Sequence, residues 1–198
     1  MTPKGIQYIG IDPGVSGAIS TIKVERGHDP EITSSFIYPC PADLVGMADL
    51  LTTLIINSGA EFTRITLEKV GSFGMEGRAT LATFMINFGQ WQGIIEGSAA
   101  LIAGVDWRLA TPQAWQKPYR ERLIAGPEKP RREQFTSKPL FNIVMKVWKS
   151  ANEQAKRARK KELMRIAEEN GAPLKPLNMA TADSYLIAIH GKDNMEWT

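Results

Sequence analysis

The sequence predicts an α/β domain: a mixed sheet flanked by helices. Three observations carry that expectation. Short apolar runs rich in isoleucine and valine open the chain and are separated by Gly- and Pro-containing turns. Apolar residues then recur at helical spacing over 41–59 and again over 80–104. A further short apolar run lies between those two stretches, so strands and helices alternate, as parallel pairing across a helix requires.

Taken in order, 6–11 and 18–24 read as two strands joined by the turn "DPGVSG". "GHDPE" at 27–31 punctuates, and 32–38 reads as a third strand, so the first three form an antiparallel meander. Over 41–59, Leu44, Met47, Ala48, Leu51, Leu54 and Ile55 make a helical stripe. Pro41 and Asp43 suit its first turn and Gly59 its stop. "RITLEKV" at 64–70 is a short buried strand. In the helix 80–104, Gly89, Gly93 and Gly97 share one face, and each costs about 1 kcal/mol relative to alanine. A close approach by another backbone would compensate, either a second copy of the chain or, more simply, the sheet. "WRLATPQAW" at 107–115 is a strand, a turn and a short helix begun by Pro112.

Pro118, Pro127, Pro130 and Pro139 make 118–139 irregular. A long helix follows from 140 to about 170, with Leu140, Val144, Val147, Trp148, Ala151, Ala155 and Ala158 as its apolar stripe. Gly171, Pro173 and Pro176 end it, and "MATADSYLIAIHG" forms a last helix. With 198 residues the whole of 1–198 is expected to be one domain, carrying a basic insertion and long helix at 118–165. Cys40 is the only cysteine, which excludes an intrachain disulfide or a cysteine zinc cluster and fits a reducing compartment. No apolar run suits a membrane span or a signal peptide, so a cytoplasmic protein without membrane contact is expected.

Charge is uneven. Positions 129–165 hold twelve Lys or Arg against three Glu, a net +9 in a chain whose total is +3. A basic arm on a mildly acidic body is the footprint of a polyanion partner, although a solvated helix face produces the same run. Arg131, Arg132, Lys156, Arg157, Lys160 and Lys161 are the residues expected to meet that polyanion.

Three carboxylates stand in apolar surroundings. Asp12 ends the first strand, Glu68 follows "RITL", and Asp183 lies in "TADSYLIAIHG". An unpartnered ionised carboxylate is expensive to bury, and a divalent cation compensates several at once. Carboxylate oxygens suit hard ions, so Mg²⁺ is expected, with Mn²⁺ as a substitute. Singly, each acid has an ordinary explanation: Asp-Pro-Gly is a common turn, and Glu68 suits a strand edge.

These residues, with their neighbours, resemble the RuvC-like Holliday junction resolvases, and the phage-type branch more than the common bacterial enzyme. The match runs through "IGIDPGVSGAIS", "LEKVGSFGMEG", "TFMINFGQWQGIIEG", "TPQAWQK" and "ATADSYLIAIHG", over roughly 6–117 and 158–191. The resemblance implies an RNase H-like fold with a mixed five-stranded sheet, a homodimer, and a two-metal phosphodiesterase acting on branched DNA, above all the four-way junction. It gives Asp12, Glu68 and Asp183 to the metals and to catalysis. In the family a further metal-binding or proton-handling residue precedes the last acid by three to five positions. Here Asn178 stands in that region, as a weaker ligand, as an engineered exchange for aspartate, as a helix cap, or beside a site that runs on three acids.

In the same pattern Phe73 and Met75 fall where family members present an apolar residue to the junction centre, though Phe73 also suits the core. Lys69 could contact the scissile phosphate, yet strand alternation points it away from Glu68. Trp115 is expected to pack, Lys117 to touch backbone phosphate, and His190 to follow the last helix as a polar end residue. Two other readings remain: a non-catalytic branched-DNA-binding homologue, motivated by Asn178, and an actin-like ATPase or kinase. The latter shares the sheet and the glycine turn but normally needs a second phosphate loop and about twice the length.

Overall fold

Five strands pair in one sheet in the order β3-β2-β1-β4-β5. They are β1 (Ile6–Ile11), β2 (Ala18–Val24), β3 (Ile32–Pro39), β4 (Phe62–Glu68) and β5 (Val105–Ala110). The structure, a computed structural model, describes residues 5–14, 16–25, 31–69 and 78–194. β1, β2 and β3 form the antiparallel meander, while β1–β4 and β4–β5 are parallel. The helices are α1 (Leu44–Ile56), α2 (Arg78–Leu101), the short α3 (Pro112–Trp115), α4 (Lys138–Glu169) and α5 (Ala182–Asp193). This is the mixed, helix-flanked five-stranded sheet expected from the sequence.

Both faces of the sheet are covered, which is why β1 reads as a continuous apolar run rather than an alternating one. Ile9, Ile11, Ile19, Ile65 and Leu67 pack against α1 and α2 through Met47, Leu51, Trp91 and Ile95. Tyr8, Ala18 and Ile22 face the other way, onto α5 and the end of α4. The helix α5 is buried along almost its whole length, from Ala182 to Ile189. It therefore shows no polar face, as expected for a helix enclosed on all sides.

Gly10 sets how closely α5 approaches. A Cβ there would collide with the backbone of Ser184 and Ala188, so helix and strand meet with no side chain between them. The buried Ser20 and Ser184 hydroxyls share a hydrogen bond of 2.6 Å and lock α5 to β2. Gly10→Ala should therefore push α5 outward and cost about 3 kcal/mol, the upper range for overpacking, because backbone rather than a flexible side chain must yield. Urea unfolding measures the loss, and an unchanged midpoint would show that the helix does not sit against Gly10.

Two expectations are corrected. Gly89, Gly93 and Gly97 do not pack on the sheet, since a Cβ on any of them would meet open space. The sheet-facing positions of α2 are Trp91 and Ile95, both fully buried. Two residues along a helix is a turn of about 200°, so the glycines fall on the far side. None of the expected stripe of α4, from Leu140 to Ala158, is buried; the buried residues of that helix are Leu163, Ile166 and Ala167, further along. Leu140 and Val147 remain 47% and 65% exposed, because the first half of the helix runs past the body. What covers it there is the preceding chain: Trp148 Nε1 donates to the Pro127 carbonyl at 3.0 Å, and the Phe135 and Phe141 rings lie 5.6 Å apart. Among the described residues no helix is long and apolar enough to cross a membrane.

Candidate active site

Asp12 follows the last residue of β1, and Glu68 is the last residue of β4. The two strands are parallel neighbours with Ile11 opposite Leu67, so both acids leave the same end of the sheet side by side. Asp183 comes from a different direction, in the first turn of α5, which lies across β1 at Gly10. Three elements far apart in sequence thus deliver three carboxylates to one place.

The turn after Asp12 is built around that residue. Its amide donates to the Ala18 carbonyl at 3.0 Å, and its Oδ1 accepts from the Gly14 amide at 2.9 Å. Gly17 must be glycine because a Cβ would run into the Asp12 carbonyl oxygen. The Cys40 thiol faces that same oxygen at 3.6 Å. Glu68 Oε1 accepts from the indole Nε1 of the buried Trp115 at 3.0 Å. Asp183 Oδ2 accepts from Lys160 Nζ, which arrives from α4.

Each acid thus has one oxygen tied by a protein donor, and among the described residues no partner is shown for the other. For Asp183 that free oxygen, Oδ1, is buried. The electrostatics agree. Burial, reinforced by the Asp183 charge, raises the Asp12 carboxyl to about 6. Burial and the Asp12 charge push Glu68 up to about 8, against the pull of the Trp115 hydrogen bond. Burial also raises Asp183, with Lys160 opposing. Burial alone would lower the Lys160 ammonium, but the three carboxylates outweigh it and hold it raised.

Three oxygen donors with one unpaired oxygen each fit a hard divalent cation in chemistry. They do not yet form a closed cage: among the described residues no group of three His, Cys, Asp or Glu side chains is arranged to hold an ion. The positive charge that balances the cluster here is the Lys160 ammonium on Asp183.

The other expected residues lie as follows. Asn178 is exposed, and its Oδ1 accepts from the amides of Ala180 (2.7 Å) and Thr181 (3.2 Å). Its carbonyl oxygen is thus used to close the turn into α5, the capping alternative. Lys69 and Lys117 are exposed, and so are Arg131, Arg132, Arg157 and Lys161. Lys156 is exposed and paired with Glu153 at 3.0 Å. Phe73 and Met75 lie outside the described residues. His190 does not follow α5 but lies within its last turn, since the helix runs on to Asp193; its Nδ1 is 3.0 Å from Asn194 Nδ2.

Two roles escaped the sequence reading. Lys160 was expected on DNA phosphates, but it stands among the acids. The signal was its helical phase: residues 160, 163 and 167 share a face, and Leu163 and Ala167 are buried. Trp115 was expected only to pack, and nothing in its spacing reveals a donor aimed 47 residues back at Glu68. Trp115→Phe keeps the packing and removes that bond, so it should weaken metal binding or cleavage about 10–100-fold, as loss of a ligand's supporting hydrogen bond does. Titration calorimetry with Mn²⁺ checks this; an unchanged affinity would leave Trp115 a packing residue only.

No family model and no curated protein matches the chain. Among solved structures it is similar to Thermus thermophilus RuvC in complex with a Holliday junction substrate, with 11% identity, a TM-score of 0.49, and coverage of 94% of this chain and 91% of that one. It is also similar to the yeast mitochondrial Holliday junction resolvase Ydc2, with 15% identity, a TM-score of 0.45, and coverage of 95% and 77%. The fowlpox virus resolvase, in complex with Holliday junction DNA, shows 8% identity and a TM-score of 0.38 over 98% and 99%.

Proposed function

We propose that this chain is a metal-dependent, structure-selective DNA endonuclease that resolves four-way junctions by hydrolysing phosphodiester bonds. The observation that carries the proposal is the meeting of Asp12, Glu68 and Asp183 at one end of the sheet, where the Asp183 charge acts on the other two and, among the described residues, each acid has one oxygen with no partner. The motif order that resembles junction resolvases supplies the substrate class.

In this reading Asp12, Glu68 and Asp183 hold Mg²⁺ or Mn²⁺, which when bound supplies Lewis-acid activation of water and stabilisation of the leaving oxygen. Gly14 and Trp115 fix the orientation of two of the acids. Lys160, poised on Asp183, offers an ammonium to a phosphate oxygen once it leaves that carboxylate. Lys117, Arg131, Arg132, Lys156, Arg157 and Lys161 meet the flanking backbone and Lys69 the scissile phosphate, while the role of stacking on unpaired bases falls to Phe73 and Met75. Two copies in a symmetric dimer would cut two strands at equivalent positions. The open glycine face of α2, with exposed Met85, Ile86 and Leu101 on the same helix, is where this reading puts the second copy.

A second reading, a branched-DNA-binding protein without cleavage, draws on Asn178: with its carbonyl oxygen committed to a turn, only three acids remain. One gel separates the two. Four-way junction, fork and linear duplex are incubated with Mg²⁺, Mn²⁺ or EDTA. Cleavage of the junction with either metal and none in EDTA is the expected result. Binding without cleavage in both metals favours the second reading, and indifference to branching would overturn both.

A further inference from the structure

The side of the sheet that meets α1 changes character along its length. Towards the acids it is apolar, with Ile9, Ile19 and Ile65 in the core. Two residues away on the same strands, and therefore on the same side, stand Gln7, Thr21 and Thr63, each 5% exposed or less. Polar side chains this deep are normally hydrogen-bonded. Thr63 Oγ1 donates to Gln7 Oε1 at 3.2 Å, but among the described residues no partner is shown for Gln7 Nε2 or the Thr21 hydroxyl.

Gln7 and Thr21 line a cleft of about 330 Å³ between β3 and the end of α1, at the lower end of the roughly 300–1,000 Å³ of ligand pockets. Gln7 and Asp12 are five residues apart along one extended run, roughly 16 Å, so the cleft is not part of the acid site. The strand register lays its lining out in rows. Ser34, Lys23 and Gln7 stand side by side across β3, β2 and β1. Phe36 and Thr21 form the next row, and Tyr38 follows, its ring 6.3 Å from that of Phe36.

The first row offers a hydroxyl, an ammonium and an amide N–H. Lys23 is the one charged residue lining the cleft. It donates to the Ser58 carbonyl at 3.1 Å, and among the described residues no carboxylate pairs with it. The second row offers the face of Phe36, which is 54% exposed. Lys23 and Phe36 are diagonal neighbours on adjacent strands, about 7–8 Å apart, so one small molecule reaches both. An inorganic anion would leave the ring bare, and an apolar ring would leave the donors unpaired. A nucleotide carries a stacking face, a polar base edge and a phosphate in one unit.

We propose that this cleft binds a single nucleotide, its phosphate on Lys23, Ser34 and Gln7 and its base on Phe36 with an edge at Thr21. The nucleotide is either a free one or the end of a DNA strand. The site does not depend on the nuclease reading.

The test is titration calorimetry in EDTA with each deoxynucleoside 5′-monophosphate, with inorganic phosphate, and with a short single strand of DNA. At least one monophosphate, or the strand, should bind with a Kd below about 1 mM, and inorganic phosphate more weakly. Phe36→Ala should weaken that binding roughly tenfold, the order of one lost stacking contact. Phe36→Tyr, which keeps the ring, should bind like the wild type. Lys23→Gln keeps a donor for the Ser58 carbonyl and should also lose roughly tenfold, through the missing charge. Binding of monophosphates with these losses makes the ligand a free nucleotide; binding of the strand alone, with the same losses, makes it a DNA end. No binding by any titrant, phosphate bound as tightly as the nucleotide, or equal affinity in the wild type, Phe36→Ala and Lys23→Gln overturns the cleft as a nucleotide site.

Discussion

Asp12→Asn should reduce junction cleavage by about a thousandfold or more while leaving junction affinity within a few-fold. The magnitude corresponds to losing roughly 4 kcal/mol of transition-state stabilisation, an order expected when a charged metal ligand becomes neutral. The fold should survive, because the asparagine carbonyl can still accept from the Gly14 amide at the position Oδ1 now occupies. The substitution also removes a charge that raises its neighbour Glu68. Metal-free Asp12→Asn protein should therefore be at least as stable as wild type above pH 7. Stopped cleavage assays and junction gel shifts measure the two effects separately. Loss of binding or of folding would mean that Asp12 serves the architecture instead.

The second large effect is on stability against pH. The Asp12 carboxyl is raised from 3.8 to about 6, and Glu68 from 4.5 to about 8. In the unfolded chain both ionise near their ordinary values, so the folded state holds these protons more tightly. Their contribution to stability is complete below about pH 4 and is lost as pH rises through 6 and towards 8. At about 1.4 kcal/mol per tenfold change in proton affinity, Asp12 alone accounts for a loss on the order of 3 kcal/mol. For a chain of this size that is roughly 10 °C in Tm. In EDTA, Tm should fall between pH 5 and pH 8.5, and Mg²⁺ or Mn²⁺ should restore it, more at pH 8.5 than at pH 5. Asp12→Asn should flatten the fall. A Tm in EDTA that is level or rises across that interval would show that the acids are not crowded together.

Much of this arrangement is legible in the sequence, for a physical reason. Strand direction follows from local signals: the "DPGVSG" turn fixes the β1–β2 hairpin, and the helix over 41–59 imposes a parallel return at β4; that β4 then pairs with β1 rather than β3 is set by the folded sheet and no local signal. The three acids stand out because carboxylates amid apolar residues demand compensation. The face of α2 that meets the sheet was hidden, since three spaced glycines suit a close contact on either side and only the packing of Trp91 and Ile95 decides it. The free half of α4 was hidden too, because an apolar stripe records amphipathicity and not what lies opposite. Lys160 and Trp115 act on residues 23 and 47 positions away, through contacts that exist only once the chain has folded.

The central claim, that residues 12, 68 and 183 together bind divalent metal, is tested most directly by anomalous diffraction from crystals soaked in Mn²⁺. The account predicts a peak in contact with carboxylate oxygens of all three residues, Asp183 Oδ1 among them, and the Lys160 ammonium drawn away from Asp183. Strong Mn²⁺ density elsewhere on the molecule, with Lys160 still seated on Asp183 and no peak between the acids, would contradict it.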